Sequence, residues 1–208
     1  MSSSPSETDA AVENETQAQS HPLQGYAGAV AEAVGGTAGI QFDTIKIKIP
    51  NDTWVDAHIT ARDEFGLVHF SWLSAIDWSN EVEVGDALSD EVEERLELLT
   101  TVGDISEGRR VTFSTDLDHA TPVIPTLIDV YAGANWHERE AHEMFGIDFL
   151  GHPNLAHLYL PDGFLGHPLR KSFPLLTREV KPWPGKVDVE AMPEKATAEE
   201  PSTENPEA

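Results

Sequence analysis

Hydrophobic and polar residues alternate from Phe42 to Ile49, with Ile45, Ile47 and Ile49 on one face and Lys46 and Lys48 on the other, which predicts a half-buried strand ended by Pro50-Asn51-Asp52. Upstream, Leu23, Tyr26, Ala27, Val30 and Val34 recur at helical spacing until Gly35-Gly36, predicting a short first helix. Downstream, Thr53 and Asp56 have the spacing of a capping pair, and the run to Phe65-Gly66 predicts a second helix packed on that strand. Leu67 to Trp78 is dense in aliphatic and aromatic residues, as in a central strand, and Trp54, Phe70, Trp72 and Trp78 are assigned to packing. Glu81 to Asp90 is acidic and turn-like. Leu96, Leu98, Thr100 and Val102 alternate toward Gly103, and Val111, Phe113, Thr115 and Leu117 alternate beyond Gly108, so two further strands are expected. Glu93, Glu94, Leu98 and Leu99 also suit a helical period, which leaves residues 92–102 open between strand and helix. Pro122 and Pro125 frame a short predicted helix, Thr126 to Tyr131. Interleaved helices and strands with hairpins predict an α/β (α+β) fold: one domain with a mixed β-sheet flanked by helices.

The pattern changes at residues 136–174, where charge, aromatic and histidine density peak. Asn135, with Glu138 three positions on, has the spacing of a capping box, and Trp136, Ala141, Met144 and Phe145 recur at helical spacing up to Gly146. A helix of about three turns is expected. Beyond it, Gly151, Pro153, Pro161, Gly163, Gly166, Pro168 and Pro174 fall too often for a regular element, predicting an extended strap. The strap carries two related corners, Gly151-His152-Pro153 and Gly166-His167-Pro168, the second running into Leu169-Arg170-Lys171.

Composition narrows the possibilities. The 208 residues contain no cysteine, so the chain supplies neither a disulfide nor a thiolate ligand for zinc or an iron-sulfur cluster. A net charge of -24 repels phosphate backbones and argues against nucleic-acid binding. No apolar run approaches the roughly 20 residues of a membrane span, and the N-terminus lacks signal-peptide features, so a soluble, intracellular protein is expected. Residues 1–20 hold four acids and no base, and residues 187–208 seven acids against Lys195, so both are expected to be disordered acidic tails. The expected organisation is then an α/β core over 21–150, a partner-binding strap over 151–186, and the two tails.

Five of the nine histidines fall between 137 and 167, which invites a metal. His137 and His142 are five apart, about 500° of helical rotation, so the zinc-protease arrangement of histidines four apart is absent. Glu138 and His142 share a face, a pairing that stabilises a helix with no metal present. His152 and His167 precede prolines, and corner hydrogen bonding accounts for them. Glu140 and Glu143, three apart beside Arg139, suit a charged interaction face better than acid-base chemistry. Gly35-Gly36 and Gly39 lack the spacing and preceding strand of a phosphate loop, so no nicotinamide site is expected. Arg170, Lys171, Arg178, Lys181 and Lys186 stand against Glu179 alone in residues 163–186, and Lys181-Pro182-Trp183-Pro184 closes the strap. A basic strap on an acidic protein suits an acidic neighbour, with arginine as forked donor and Trp183 as anchor. A free-standing metal-dependent hydrolase is the competing reading from another class.

These motifs resemble those of one family, the thirty-kilodalton (C) subunit of proton-pumping NADH:quinone oxidoreductase, respiratory complex I. The resemblance rests on Glu138-Arg139-Glu140, Glu143, Met144-Phe145-Gly146-Ile147, Phe149, Gly151-His152-Pro153 and Gly166-His167-Pro168-Leu169-Arg170-Lys171. The chain departs at Glu143, where aspartate is commoner, and at Ala156, where the family usually has a basic residue or proline. The resemblance implies a non-catalytic structural subunit of the peripheral arm, on the cytoplasmic face of the membrane, with no cofactor of its own. It implies a seat beside the D subunit, at the quinone site, and the B subunit, which bears a cluster. Their complex passes electrons from NADH through flavin and iron-sulfur clusters to quinone. Glu138, Arg139, Glu140, Glu143, His152, His167, Arg170, Lys171 and Trp183 are then the expected partner-interface residues. The related alternative is the equivalent subunit of a membrane-bound hydrogenase or ferredoxin-fed complex.

Overall fold

The isoleucine-lysine alternation folds as expected, but as the second strand of a hairpin. A computed structural model describes residues 21–80 and 92–174. In chain order these form α1 (Gln24–Val34), β1 (Thr37–Gln41), β2 (Thr44–Lys48), α2 (Trp54–Phe65) and β3 (His69–Asp77). There follow β4 (Leu96–Asp104), β5 (Arg109–Leu117), β6 (Val123–Pro125), α3 (Ala134–Phe145) and β7 (Asp148–Leu150). Strand β1 was not expected, because Thr37-Ala38-Gly39-Ile40-Gln41 offers only two core-facing residues, Ala38 and Ile40, both half-buried. Phe42 and Asp43, both with positive φ, turn the chain between β1 and β2. Two left-handed residues in succession are what a tight hairpin needs, here without the usual glycine.

Five strands form one mixed sheet in the order β1-β2-β5-β4-β3, parallel only between β2 and β5. Residues 96–104 are strand: Leu96 pairs with Leu117 and Leu98 with Thr115, and β4, flanked by β3 and β5, has nearly every residue buried. Helices α1 and α2 pack on each other, and Ala27, Val30, Trp54, Ala57 and Ala61 meet Ile45, Ile47, Leu98, Val111 and Phe113 in the core. Each fully buried aliphatic or aromatic side chain there contributes about 1.5–3 kcal/mol.

Four local expectations are corrected. The 67–78 run is an edge strand, not a central one, and Trp72 is exposed rather than packed. Its apolar density is explained by α3, which lies against β3: His137 Nδ1 accepts a hydrogen bond from Leu73 N–H at 3.4 Å, beside the register shift between Phe70 and Trp72. Thr53 forms no side-chain cap on α2, because its hydroxyl donates to Pro50 O. Residues 126–131 hold a turn at 128–130 rather than a helix, and Val123–Pro125 preceding them pairs in parallel with β7. Finally, Asn135 lies inside α3, which starts at Ala134 with no side-chain cap, and Trp136 is 62% exposed.

Candidate functional site

Helix α3 is unusual in what it buries: Ala134, Ala141 and Phe145, but also Glu138 and Glu143. Four anchor points on it organise the chain on either side. Glu138, drawn away from its expected capping role, accepts from Leu127 N–H at 2.6 Å and from the Thr126 hydroxyl, fastening the turn before the helix. Next along the helix, Arg139 donates to Ala156 O at 2.8 Å and His157 O at 3.1 Å, with its guanidinium over the Trp136 ring. Glu143 then receives three consecutive strap amides, those of Leu158, Tyr159 and Leu160. Burial alone would raise its pKa, but these donors outweigh it and hold the carboxyl below its usual range.

The fourth anchor is the end of the helix. The last turn of an α-helix leaves carbonyls without intrahelical partners. Glu143 O faces His167 Nδ1 at 3.0 Å, Met144 O accepts from Leu169 N–H at 3.1 Å, and Phe145 O from Arg170 Nε at 2.6 Å. The Gly-His-Pro-Leu-Arg motif is thus a cap delivered from the strap. Gly146 permits it twice over, through its φ of 74° and because an added Cβ would lie 2.6 Å from His167 Nε2. Arg170 also donates to His119 O at 3.3 Å, so the guanidinium expected to meet a partner carboxylate reaches carbonyls of its own chain. Lys171 donates through its amide to Asp77 at 2.8 Å and through Nζ to Ser79 O at 3.1 Å.

Of the nine residues singled out from sequence, the structure brings eight together on α3 and the strap, and Trp183 lies outside the described residues. So do Arg178, Lys181 and Lys186 of the basic run and the acidic segment 81–90. Glu140 is half-buried, 3.4 Å from the Tyr159 hydroxyl that donates to it. His152 and His167 both make the corner contacts expected of them: His152 Nδ1 accepts from Asn154 N–H at 3.1 Å. Sequence reasoning missed Thr126, Asp77 and His119. Asp77 was discoverable, since it is an acid at the end of an apolar strand; it is buried and bonded to His119 at 2.9 Å as well as to Lys171.

Chemically, the arrangement is a set of fasteners. Among the described residues no group of three or more His, Cys, Asp or Glu could hold a metal, and no helix is long and apolar enough to cross a membrane. What α3 and the strap leave outward is aromatic and aliphatic: Trp136, Tyr159, Leu165 and Leu169 are all more than half exposed.

Residues 47–179 match the family described as the respiratory-chain NADH dehydrogenase 30 kDa subunit. The chain belongs to this family. The C subunit of NADH-quinone oxidoreductase from Methylobacterium sp. (strain 4-46) is 32% identical over 77% of this chain and 72% of that protein. The C/D subunit of NADH-quinone oxidoreductase from Chromohalobacter salexigens is 39% identical over 44% of this chain, a match spanning 16% of that longer protein. Among solved structures, the trypsin-resistant fragment of Nqo5 has the same fold at a TM-score of 0.53 and 20% identity, covering 62% of this chain and 97% of the fragment. Family membership makes this chain a subunit of complex I.

Proposed function

We propose that the chain is the C subunit of a proton-translocating NADH:quinone oxidoreductase and serves it as a brace rather than as a catalyst. In this reading flavin and iron-sulfur clusters reside in partner subunits, and electrons pass from NADH to quinone without entering this chain. The observation that carries the proposal is the commitment of the motif's charged groups to backbone: Glu138, Arg139, Glu143 and Arg170 each bind amides or carbonyls of their own chain. Groups so engaged shape a surface and are not free for acid-base work. The partners are the D subunit, at the quinone site, and the cluster-bearing B subunit, at the cytoplasmic face of the membrane. A C/D protein in Chromohalobacter supports the pairing with D, because two segments encoded as one chain are held at high effective concentration. The surface offered to them is the outward side of α3 and the strap, with Trp136, Glu140, Tyr159, Leu165 and Leu169, and Lys171 beside them.

The test is affinity purification of the tagged chain from detergent-solubilised membranes. An assembly that contains the D and B subunits and oxidises NADH is the expected result, whereas recovery without them would refute the assignment. Purified alone, the chain should be colourless and should not reduce quinone with NADH. Visible absorbance or a stoichiometric metal would overturn the role as a brace.

A further inference from the structure

The two edges of the sheet differ in what they leave unpaired. On β3 the Leu73 N–H is already taken by His137 of α3. On β1 the open groups follow from the hairpin register. Gln41 pairs with Thr44 across the two-residue turn, Gly39 with Lys46 and Thr37 with Lys48, and these are the pairs that exchange both backbone bonds. The neighbouring ladder agrees: Ile49 N–H donates to Ser114 O at 2.9 Å, so the odd-numbered residues of β2 turn their backbone to β5 and the even-numbered ones to β1. Ala38 and Ile40 therefore direct their N–H and C=O groups outward, and among the described residues nothing bonds to them there. Edge strands are ordinarily guarded by charged residues, proline or a bulge. Thr37-Ala38-Gly39-Ile40-Gln41 has no charge and no proline, and its register with β2 is unbroken.

The side chains beside this edge give it selectivity. Ala38 and Ile40 face the core side, whereas Thr37, Gly39 and Gln41 share the outer face with Lys46 and Lys48. Lys46 is paired with Glu97 at 2.6 Å and Lys48 with Asp116 at 2.5 Å, where Arg95 also binds at 3.2 Å, yet both lysines stay about half exposed. Three cations thus stand against two acids on a chain whose net charge is -24. Thr37, Gly39, Lys46, Lys48, Trp78 and Arg95 line one open groove along the edge. We propose that β1 is a docking edge to which a partner protein adds an extended segment as a sixth strand, with carboxylates at alternate positions over Lys46 and Lys48 and apolar side chains beside Ala38 and Ile40. Main-chain bonds to Ala38 and Ile40 supply the affinity, and the lysines select the sequence. A second copy of this chain fits poorly, because β1 against β1 brings one copy's lysines toward the other's. The edge lies across the sheet from β3, where α3 packs, so this contact is separate from the surface of α3 and the strap and does not depend on which complex the partner belongs to.

The experiment is hydrogen-exchange mass spectrometry with residue-level fragmentation, on the isolated full-length chain and on the assembly recovered from detergent-solubilised membranes through the tagged chain. The Ala38 and Ile40 amides should exchange freely in the isolated chain and slow on the order of tenfold or more in the assembly, while Gly39, already in the ladder, is protected in both. Gly39→Glu, whose added Cβ meets nothing closer than Lys46 O at 3.9 Å, should abolish that slowing by like-charge repulsion. Gly39→Lys should keep it, with both variants holding the parent Tm. Ala38→Pro removes one outward donor and no ladder bond and should also abolish the slowing. Should that variant fail to fold, the Gly39 pair decides alone. Fast exchange in the assembly, a chain recovered alone with both amides fast, or equal behaviour of the two Gly39 variants overturns the proposal. So does slow exchange in the isolated chain, whether it rises with concentration, as for a second copy, or disappears when residues 1–20 are deleted, as for the chain's own tail. The subunits found in the assembly test the assignment to complex I, whereas exchange at β1 tests the edge, so either can fail without the other.

Discussion

The sheet with α1 and α2 and the helix α3 with its strap are held by different forces. In the first, Trp54, Ile45, Ile47, Leu98 and Phe113 are wholly or almost wholly buried and interlock through shape, without direction. In the second, residues 151–174 contain no helix or strand, and hydrogen bonds from α3 hold them. Apolar contacts degrade gradually, whereas a directional bond to a buried group is lost with a single atom. The strap half should therefore be the more sensitive to small chemical changes, and the sheet half to large changes of volume.

Removing volume from the sheet half should have the largest effect. Trp54→Ala deletes a fully buried ring and should cost about 3–5 kcal/mol, read as a fall in Tm or failure to fold. A loss under about 1 kcal/mol would refute the account of the core. The next effect sets the halves against each other through pH. Burial lowers His58 from 6.5 to about 4, so the folded state excludes a proton that the unfolded chain binds, and about 3 kcal/mol is lost as pH falls from 6.5 to 4. Glu138 runs the other way: its folded pKa is raised, so its contribution is complete below the unfolded value of 4.5 and is lost as pH rises through about 7. The two offset each other in the unaltered chain. Glu138→Gln should expose the His58 response, with Tm falling more steeply between pH 6.5 and 4.5 than in the parent. Parallel Tm profiles would show that the two groups do not oppose each other.

Glu143→Gln replaces one acceptor oxygen by a donor facing strap amides and should cost on the order of 2 kcal/mol, with amide exchange accelerated at Leu158 to Leu160 and unchanged in β4 and β5. Uniform acceleration would mean that strap and sheet are one cooperative unit. Smaller again, Arg170→Ala should destabilise the isolated chain by about 1.5 kcal/mol, read as a lower Tm, because Phe145 O and His119 O lose a charged donor. Arg170→Lys should recover part of it. An unchanged Tm together with a lost complex would return Arg170 to a partner. Smallest is Lys48→Ala, which breaks a surface ion pair with Asp116 and should cost under about 1 kcal/mol.

The same division decides what could be read from the residues alone. Period-two and period-3.6 patterns located α1, α2, β2 and β5 because those elements are selected by burial, which writes itself into spacing, whereas β4, buried on both faces, also suited a helical period and stayed open between strand and helix. Strand β1 escaped because its turn uses Phe42-Asp43 and its face carries few large residues. The helix expected at 126–131 failed because the chain there is fixed by a distant carboxylate, Glu138, rather than by its own period. The motif residues of α3 were visible as chemistry, but the acceptors of Arg170 and Lys171 lie 25 to 94 positions away, and no local pattern encodes such a partner.

The cap on α3 also sets an order of events during translation. Arg170 follows Phe145 by 25 positions, roughly one to five seconds of ribosomal elongation at about 5–20 residues per second. The sheet strands precede it and can pair at once, but the nascent helix ends in bare carbonyls until the second corner has left the ribosome. A message truncated between these points yields a polypeptide with its sheet complete and its last helix frayed, a substrate suited to quality-control proteases rather than to assembly.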